Sequence, residues 1–261
     1  MMISTTTAGS EGRAQPRGFS LIEMMIVIVV MFIVFAVVFK SADMFQQRGA
    51  AETEKVDSVQ AVRDFMDTVN RDIHDAGYPP LPVAANGATT CVGNANIACG
   101  IVYYSPMKVQ YEGDLDGTGT VYQVTLQVVP GANGGCPCIL QRGVVTKAAA
   151  LNGTVPTYYT EVNGLLNSGN WAGAATYAVS VTGGTGNYAS YGPIDVFDGY
   201  FNDSTQVTTA CTTAATCVNS ATPIRELQVT ANVIPNFSDS QTKIFPVFSV
   251  TSKARLSNIS P

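Results

Sequence analysis

Sixteen consecutive residues, Met24–Phe39, carry no polar side chain; the run is built from Met, Ile, Val, Phe and one Ala. Counted from Phe19, the stretch to Phe39 is twenty-one residues, close to the ~20 that cross a bilayer core as a helix. One carboxylate, Glu23, stands immediately ahead of the run, behind a Gly18-Phe19 junction that follows the basic Arg17. A charged residue at mid-helix costs roughly 2.5–3.5 kcal/mol on insertion scales, so an acid kept at this place is a functional candidate. A secretory signal accounts for the basic start but needs a small-residue exit site, and no A-x-A pattern closes the run. A plain one-pass anchor accounts for the length but not for Glu23 or the Gly-Phe junction.

The phrase Gly18-Phe19-Ser20-Leu21-Ile22-Glu23 resembles the cleavage and N-methylation signal of type IV prepilins and type II secretion pseudopilins. The resemblance implies that a prepilin peptidase/N-methyltransferase cuts between Gly18 and Phe19 and methylates Phe19. It also implies that Glu23, the fifth mature residue, pairs with the terminal amine of a neighbouring subunit during assembly. The partners implied are other major and minor pilins, the inner-membrane assembly machinery and membrane lipid.

Charge and cysteine use agree with export. The whole chain has a formal charge of −5, and the leader 1–18, with Arg13, Arg17 and Glu11, leaves the mature chain one unit more acidic. So acidic a product offers little for a phosphate backbone, and no direct nucleic-acid contact is expected. Charged residues are only 13% of the chain, and the abundance of Gly, Thr, Asn, Ser and Val suits a β-rich exported domain. The six cysteines all follow the apolar run, which fits an oxidising compartment. The basic leader places the N-terminus in the cytoplasm and everything after Phe39 outside.

The expected helix runs far past the apolar segment. No proline interrupts the chain from Phe19 to Tyr78. Val56, Val59, Val62, Phe65, Met66, Val69, Ile73 and Ala76 recur at three- and four-residue steps, with Asp57, Gln60, Asp64, Asp67 and Arg71 on the other face. Gly77 and then Pro79-Pro80 form a stop signal. A helix over Phe19–Ala76 has fifty-eight residues, about 87 Å at ~1.5 Å per residue. Lys40 stands where major pilins usually carry a helix-weakening proline, and Gly49 reads as a tolerated helix glycine rather than a hinge. The ending Arg71-Asp72-Ile73-His74-Asp75-Ala76-Gly77-Tyr78 resembles the close of the first helix in PilW-type minor pilins. His74 is the only histidine, so it reads as a solvated helix residue.

Beyond Pro82 short alternating runs predict strands at 101–105, 107–111, 121–129, 139–145, 177–181, 194–201, 225–234 and 244–256. Long polar stretches separate them, notably 84–99, 151–175 and 205–223. The fold class is therefore α+β: a long N-terminal α-helix packed on an antiparallel β-sheet, type IV pilin-like. The organisation is a cleaved leader at 1–18, a transmembrane or filament-core half-helix at 19–40, an amphipathic half at 41–77 and a β-rich globular domain at 78–261.

The cysteines form three close pairs, Cys91 with Cys99, Cys136 with Cys138 and Cys211 with Cys217. Closeness favours local bridges that pin loops. A Cys-Pro-Cys bridge closes a very small ring, so a distant partner for Cys136 or Cys138 is the alternative. Zinc is disfavoured, because C-x-C lacks the usual ligand spacing and no histidine assists. The segment Asp114-Leu115-Asp116-Gly117-Thr118-Gly119 resembles the start of a calcium loop, with Asp114 and Asp116 at ligand positions and Gly119 at the sharp turn. Thr125 stands where the bidentate Glu belongs, and a hairpin turn is the competing reading. No metal centre or cofactor is otherwise expected.

No phosphate loop, H-E-x-x-H or G-x-S-x-G occurs, and no paired-carboxylate motif stands out from turn chemistry, so the chain reads as a non-enzyme. The aromatics Tyr103, Tyr104, Tyr158, Tyr159, Trp171, Tyr188 and Tyr191 read as packing residues. The reading is a minor pilin of PilW type that takes part in priming a type IV pilus and sits near its tip. Its alternatives are a J-type minor pseudopilin of type II secretion and a tip adhesin.

Overall fold

The computed structural model describes residues 18, 20–80, 90–132, 134–168, 179–181, 186–218, 223–236, 238 and 243–258. The chain divides into two compact units, Met1–Gln47 and Arg48–Pro261, and one helix, α1 (Leu21–Asp75), runs through both. In the first unit the described residues are Gly18, Ser20 and the opening turns of α1. The main-chain carbonyl of Ser20 accepts hydrogen bonds from the N–H groups of Glu23 and Met24, at 3.0 and 3.2 Å, which starts the helix.

In the second unit α1 is amphipathic. Val62, Phe65, Met66, Val69 and Ile73 are buried, while Asp57, Gln60, Asp64, Asp67 and Arg71 are exposed, as the spacing predicts. The buried stripe begins later than expected: Val56 is exposed and Val59 only half-buried. Near that turn the contacts become polar. Asn236 donates to Glu54 Oε1 at 2.7 Å, and the Lys55 ammonium lies 5.5 Å from the Phe248 ring centre.

The helix ends one residue before the expected Ala76. Gly77 takes a positive φ of 85°, the left-handed turn that a glycine adopts without a Cβ clash. The chain then joins a strand. Gly77 N–H donates to the Glu112 carbonyl at 2.8 Å, and Asp114 N–H donates to the Tyr78 carbonyl at 2.9 Å.

Eight strands follow: β1 (Gly100–Ser105), β2 (Lys108–Gly113), β3 (Tyr122–Val129), β4 (Cys138–Thr146), β5 (Tyr158–Leu165), β6 (Phe197–Tyr200), β7 (Glu226–Val233) and β8 (Phe248–Arg255). They make one antiparallel sheet, ordered β1-β2-β3-β4-β5-β7-β6, with β8 also paired to β7. A short helix, α2 (Lys147–Leu151), follows β4 and is capped by the Thr146 side chain. Another, α3 (Ala214–Val218), precedes β7. Inward residues such as Tyr111, Val124, Leu126, Leu140, Leu227 and Val229 share one core with the buried stripe of α1. Burying each such side chain contributes about 1.5–3 kcal/mol.

Seven of the predicted strands match these elements within a few residues. The predicted strand 194–201 is shortened to Phe197–Tyr200, because the N–H groups of Val196 and Phe197 both point to the Pro106 carbonyl. Of the predicted strand 177–181, residues 177 and 178 lie outside the described residues, and Val179 makes only an isolated bridge to Cys136. The predicted loop 151–175 is corrected, since it contains β5. In β5 only Val162 and Leu165 are buried, three residues apart, and its pairing with β4 is interrupted by register shifts. That irregularity erases the period of two by which strands are recognised. The predicted loop 205–223 likewise contains α3.

Pairing between β5 and β7 is a single register point, Leu165 with Val233. Asn167, fully buried, continues the seam with its side chain. Its Oδ1 accepts from Asn232 N–H at 2.7 Å, and its Nδ2 donates to the Thr230 carbonyl at 3.2 Å and the Asp195 carbonyl at 3.4 Å. Elsewhere Tyr104 hydroxyl accepts from Gly199 N–H at 2.8 Å and faces the Phe197 carbonyl at 3.3 Å, tying β1 to β6.

Two buried charge clusters complete the core. Asp72 Oδ2 meets Arg142 Nη2 at 2.6 Å and accepts from Tyr111 hydroxyl at 3.0 Å, joining α1 to β4 and β2. Lys147 Nζ donates to the carbonyls of Cys91 and Ile97, at 2.9 and 2.7 Å, and meets Glu112 Oε2 at 2.6 Å. Glu112 Oε2 also accepts from Cys99 N–H at 3.0 Å. Every proton of the ammonium is thereby committed inside the protein. Burial nevertheless pushes the Glu112 carboxyl above its ordinary value against the pull of Lys147.

Replacing Asn167 by Leu leaves a buried N–H and two carbonyls without that partner, and is expected to cost about 2–4 kcal/mol in urea unfolding; a loss below about 0.5 kcal/mol would contradict the seam. Asp72→Ala strands a partly buried guanidinium and is expected to cost about 3 kcal/mol by the same measurement.

The alkaline limb of stability provides a third check. Burial, reinforced by the Asp72 charge, raises the Tyr111 hydroxyl well above its ordinary value. A raised folded-state value means that the stabilisation is fully present below the unfolded tyrosine value of about 10 and is lost as pH climbs toward the folded one. Melting temperature is therefore expected to fall above about pH 10, and to fall less steeply in Tyr111→Phe.

Candidate functional site

The described part of the N-terminal segment presents a helix with no partner in its own unit. Every residue from Met24 to Phe39 is exposed, including Val30 at 53% and Phe39 at 70%. Apolar side chains cover all faces of these turns. Such a helix belongs in lipid or in the core of a larger assembly. By length and composition α1 meets the requirement for a membrane span.

Gly18 lies exposed just ahead of the helix, and Phe19 lies outside the described residues. Glu23 is exposed in the first turn of α1. That position sets its carboxylate against the free N–H groups and positive end of the helix dipole, worth about 0.3–1 kcal/mol for an exposed charge. Beyond Phe39 the helix continues through the charged Lys40 and Asp43, with Ser41 Oγ donating to the Val37 carbonyl at 2.9 Å. Gly49 is a helical residue at which an added Cβ would meet nothing within 4 Å. Packing therefore places no demand for glycine there.

The cysteines are joined as Cys91–Cys99, Cys136–Cys138 and Cys211–Cys217, with no distant pairing. The first bridge forms a small apolar cluster with Ile97 and Val102, against which Ala214 and Val218 of α3 pack. Lys147 closes the same loop from below through the two carbonyls already described. Sequence reading missed this lysine, and no periodicity marks it: it follows the last residue of a strand and precedes three alanines. Asp114 and Asp116 lie in the connection between β2 and β3.

The aromatic residues do not assemble into a stacking platform among the described residues, where the one ring pair is Phe35 with Phe39. Tyr103 faces Lys108, whose ammonium lies 5.0 Å from its ring centre, and Tyr188 hydroxyl accepts from Phe245 N–H at 2.7 Å. Trp171 lies outside the described residues. Among those residues no group of three or more His, Cys, Asp or Glu gathers as a metal centre. His74 is exposed on the last turn of α1, within 3.1 Å of Ser257 Oγ.

Residues 13–39 match the family model described as the prokaryotic N-terminal methylation motif. No curated protein and no solved structure matches the chain. The motif supports a type IV pilin or pseudopilin and points to a structural subunit rather than an enzyme. Processing by a prepilin peptidase and assembly with other pilins follow from it, and the apolar helix fits membrane anchoring.

A charge placed in the middle of the run tests the demand for an apolar surrounding. Val30→Arg is expected to lower insertion by roughly 2.5–3.5 kcal/mol, read as the inserted fraction in microsomes. Unchanged insertion would show that the run does not enter lipid as a span.

Proposed function

We propose that this chain is a minor type IV pilin, similar to PilW-type subunits. It is processed between Gly18 and Phe19, methylated at Phe19, and takes part in priming pilus assembly with a place near the tip. The observation that carries this reading is the methylation motif at 13–39 leading directly into an unpartnered apolar helix. The amphipathic continuation of that helix on an antiparallel sheet supports it. The ending Ala76-Gly77-Tyr78, the Lys40 in place of a proline and the cystine-pinned connections favour a minor over a bulk subunit.

The parts take the following roles. Residues 1–18 are a cytoplasmic leader, 19–40 span the inner membrane and later line the filament core, 41–77 form the amphipathic half-helix, and 78–261 lie in the periplasm or on the pilus. The work is self-association rather than catalysis. Apolar helices leave lipid for a bundle of like helices, and the Glu23 carboxylate meets the charged terminal amine of a neighbouring subunit. Pairing offsets the desolvation of both charges, and removing one partner of such a pair costs about 3–5 kcal/mol. The pairing partners are other pilins and the inner-membrane assembly machinery. A J-type pseudopilin shares the same N-terminal chemistry, and an adhesin role would reside in the polar connections of the sheet domain.

Mass spectrometry of the mature chain is expected to find N-methyl-Phe19 at the N-terminus; an unmodified chain beginning at Met1 would falsify the reading. Glu23→Ala is expected to insert and to be cleaved as usual yet to enter sheared pili at less than about a tenth of the wild-type level. Incorporation into a secretion pseudopilus instead of a pilus would reassign the subunit to the J-type class, and assembled pili that lose only adhesion on loop deletion would favour the adhesin.

A further inference from the structure

The connection between β2 and β3 holds two carboxylates without a counter-charge among the described residues. Asp114 is only 7% exposed, and its Oδ1 is buried with no hydrogen-bond partner among the described residues. Its other oxygen, Oδ2, accepts from Gly119 N–H at 2.8 Å. Asp116 stands two residues on in the same connection, its Oδ1 accepting from the Thr118 hydroxyl at 2.7 Å and the Thr118 N–H at 3.1 Å. Neither acid has an ion pair among the described residues, and the nearby Lys147 is spent on Glu112 and two carbonyls.

A buried carboxylate oxygen without a donor, in a connection that carries a second carboxylate two residues on, calls for a positive charge. We infer that this connection is a divalent-cation site, built for calcium around Asp114 Oδ1 and Asp116. Hard cations of this kind take oxygen ligands, and the register follows a calcium loop in part: acids at positions one and three, threonine rather than an acid at five, glycine at six, and Thr120 at seven, where a main-chain carbonyl serves. Gly119 has a φ of 83°, as the sharp turn requires. Thr125, at the place of the bidentate Glu, is instead buried in β3 and accepts from Gln110 at 2.9 Å. Two acids without that Glu make a weak site completed by water, in the ~0.1–1 mM range of extracellular modules.

The site has a structural consequence. Asp114 N–H is hydrogen-bonded to the Tyr78 carbonyl, directly after the end of α1. A cation held there fixes the hairpin against the end of the helix. This inference goes beyond the pilin reading and does not depend on it.

Tyr122 provides a reporter, since its hydroxyl donates to Asp116 Oδ2 at 2.9 Å. The full chain in detergent micelles is titrated with terbium, exciting tyrosine and reading lanthanide emission, and then with calcium or magnesium. Emission is expected to rise, and calcium at about 1 mM to displace half of it. The melting midpoint is expected to rise by about 4 °C at ~10 mM calcium. Asp114→Asn keeps an acceptor for Gly119 and is expected to lose the calcium shift; the exposed Asp116→Asn serves the same purpose if the first variant fails to fold. Tyr122→Phe is expected to lower terbium emission severalfold while keeping the shift. Absence of both emission and shift in the wild-type chain overturns the site. A shift that survives both Asp variants places the cation elsewhere and overturns it equally, as does displacement by magnesium at the same concentration as calcium, which would leave the acids without calcium preference.

Discussion

Sixteen apolar residues with no burial inside their own unit are the constraint on which the rest of this molecule depends. Each exposed Val, Ile, Met or Phe from Met24 to Phe39 is a side chain whose burial contributes about 1.5–3 kcal/mol once a partner is found. No rearrangement within a helical turn can hide them, because no face of these turns is polar. The surroundings must supply the burial, and lipid is an environment that the length and composition of the helix fit. Glu23, exposed in the first turn of the same helix, is the carboxylate that adjoins this run.

The second half of α1 solves the opposite problem, since its burial is provided by its own sheet. Area alone would let a helix slide along a sheet. The Asp72–Arg142–Tyr111 cluster supplies a directional contact, and the main-chain bonds of Gly77 and Asp114 fix where the helix stops. Buried ion pairs are poor sources of net stability, because desolvation offsets most of their attraction. Their effect here is on register: a slid helix would leave the Asp72 carboxylate buried and unpaired. The Glu112–Lys147 pair acts in the same way on the Cys91–Cys99 segment.

Much of this was legible from residue order. The long helix, its glycine stop, most strands and the pairing of neighbouring cysteines all express local rules: hydrophobic period, turn chemistry, short separation. What escaped was set by distant partners. β5 carries only two buried residues in broken alternation, so its strand character comes from pairing with β4 rather than from its own pattern. Lys147 and Asn167 are polar residues buried by groups far away in sequence, and polarity alone predicts exposure for both. Val56 kept the helical period, but the sheet does not bury it. For the N-terminal motif the case is reversed, since residues 13–39 form one contiguous stretch that needs no folding to be recognised.

The disulfides span only eight, two and six residues of sequence, and none includes a residue of α1. Consider tension applied along the helix. No covalent cross-link shares the load between α1 and the sheet beyond the single main-chain connection through Gly77. The force passes instead through shear on the apolar stripe, the Asp72–Arg142 contact and the two main-chain bonds to β2. Parallel bonds loaded in shear yield together rather than in sequence. The bridges keep the peripheral connections folded, and the resistance of the subunit to being pulled apart rests on the non-covalent contacts between helix and sheet.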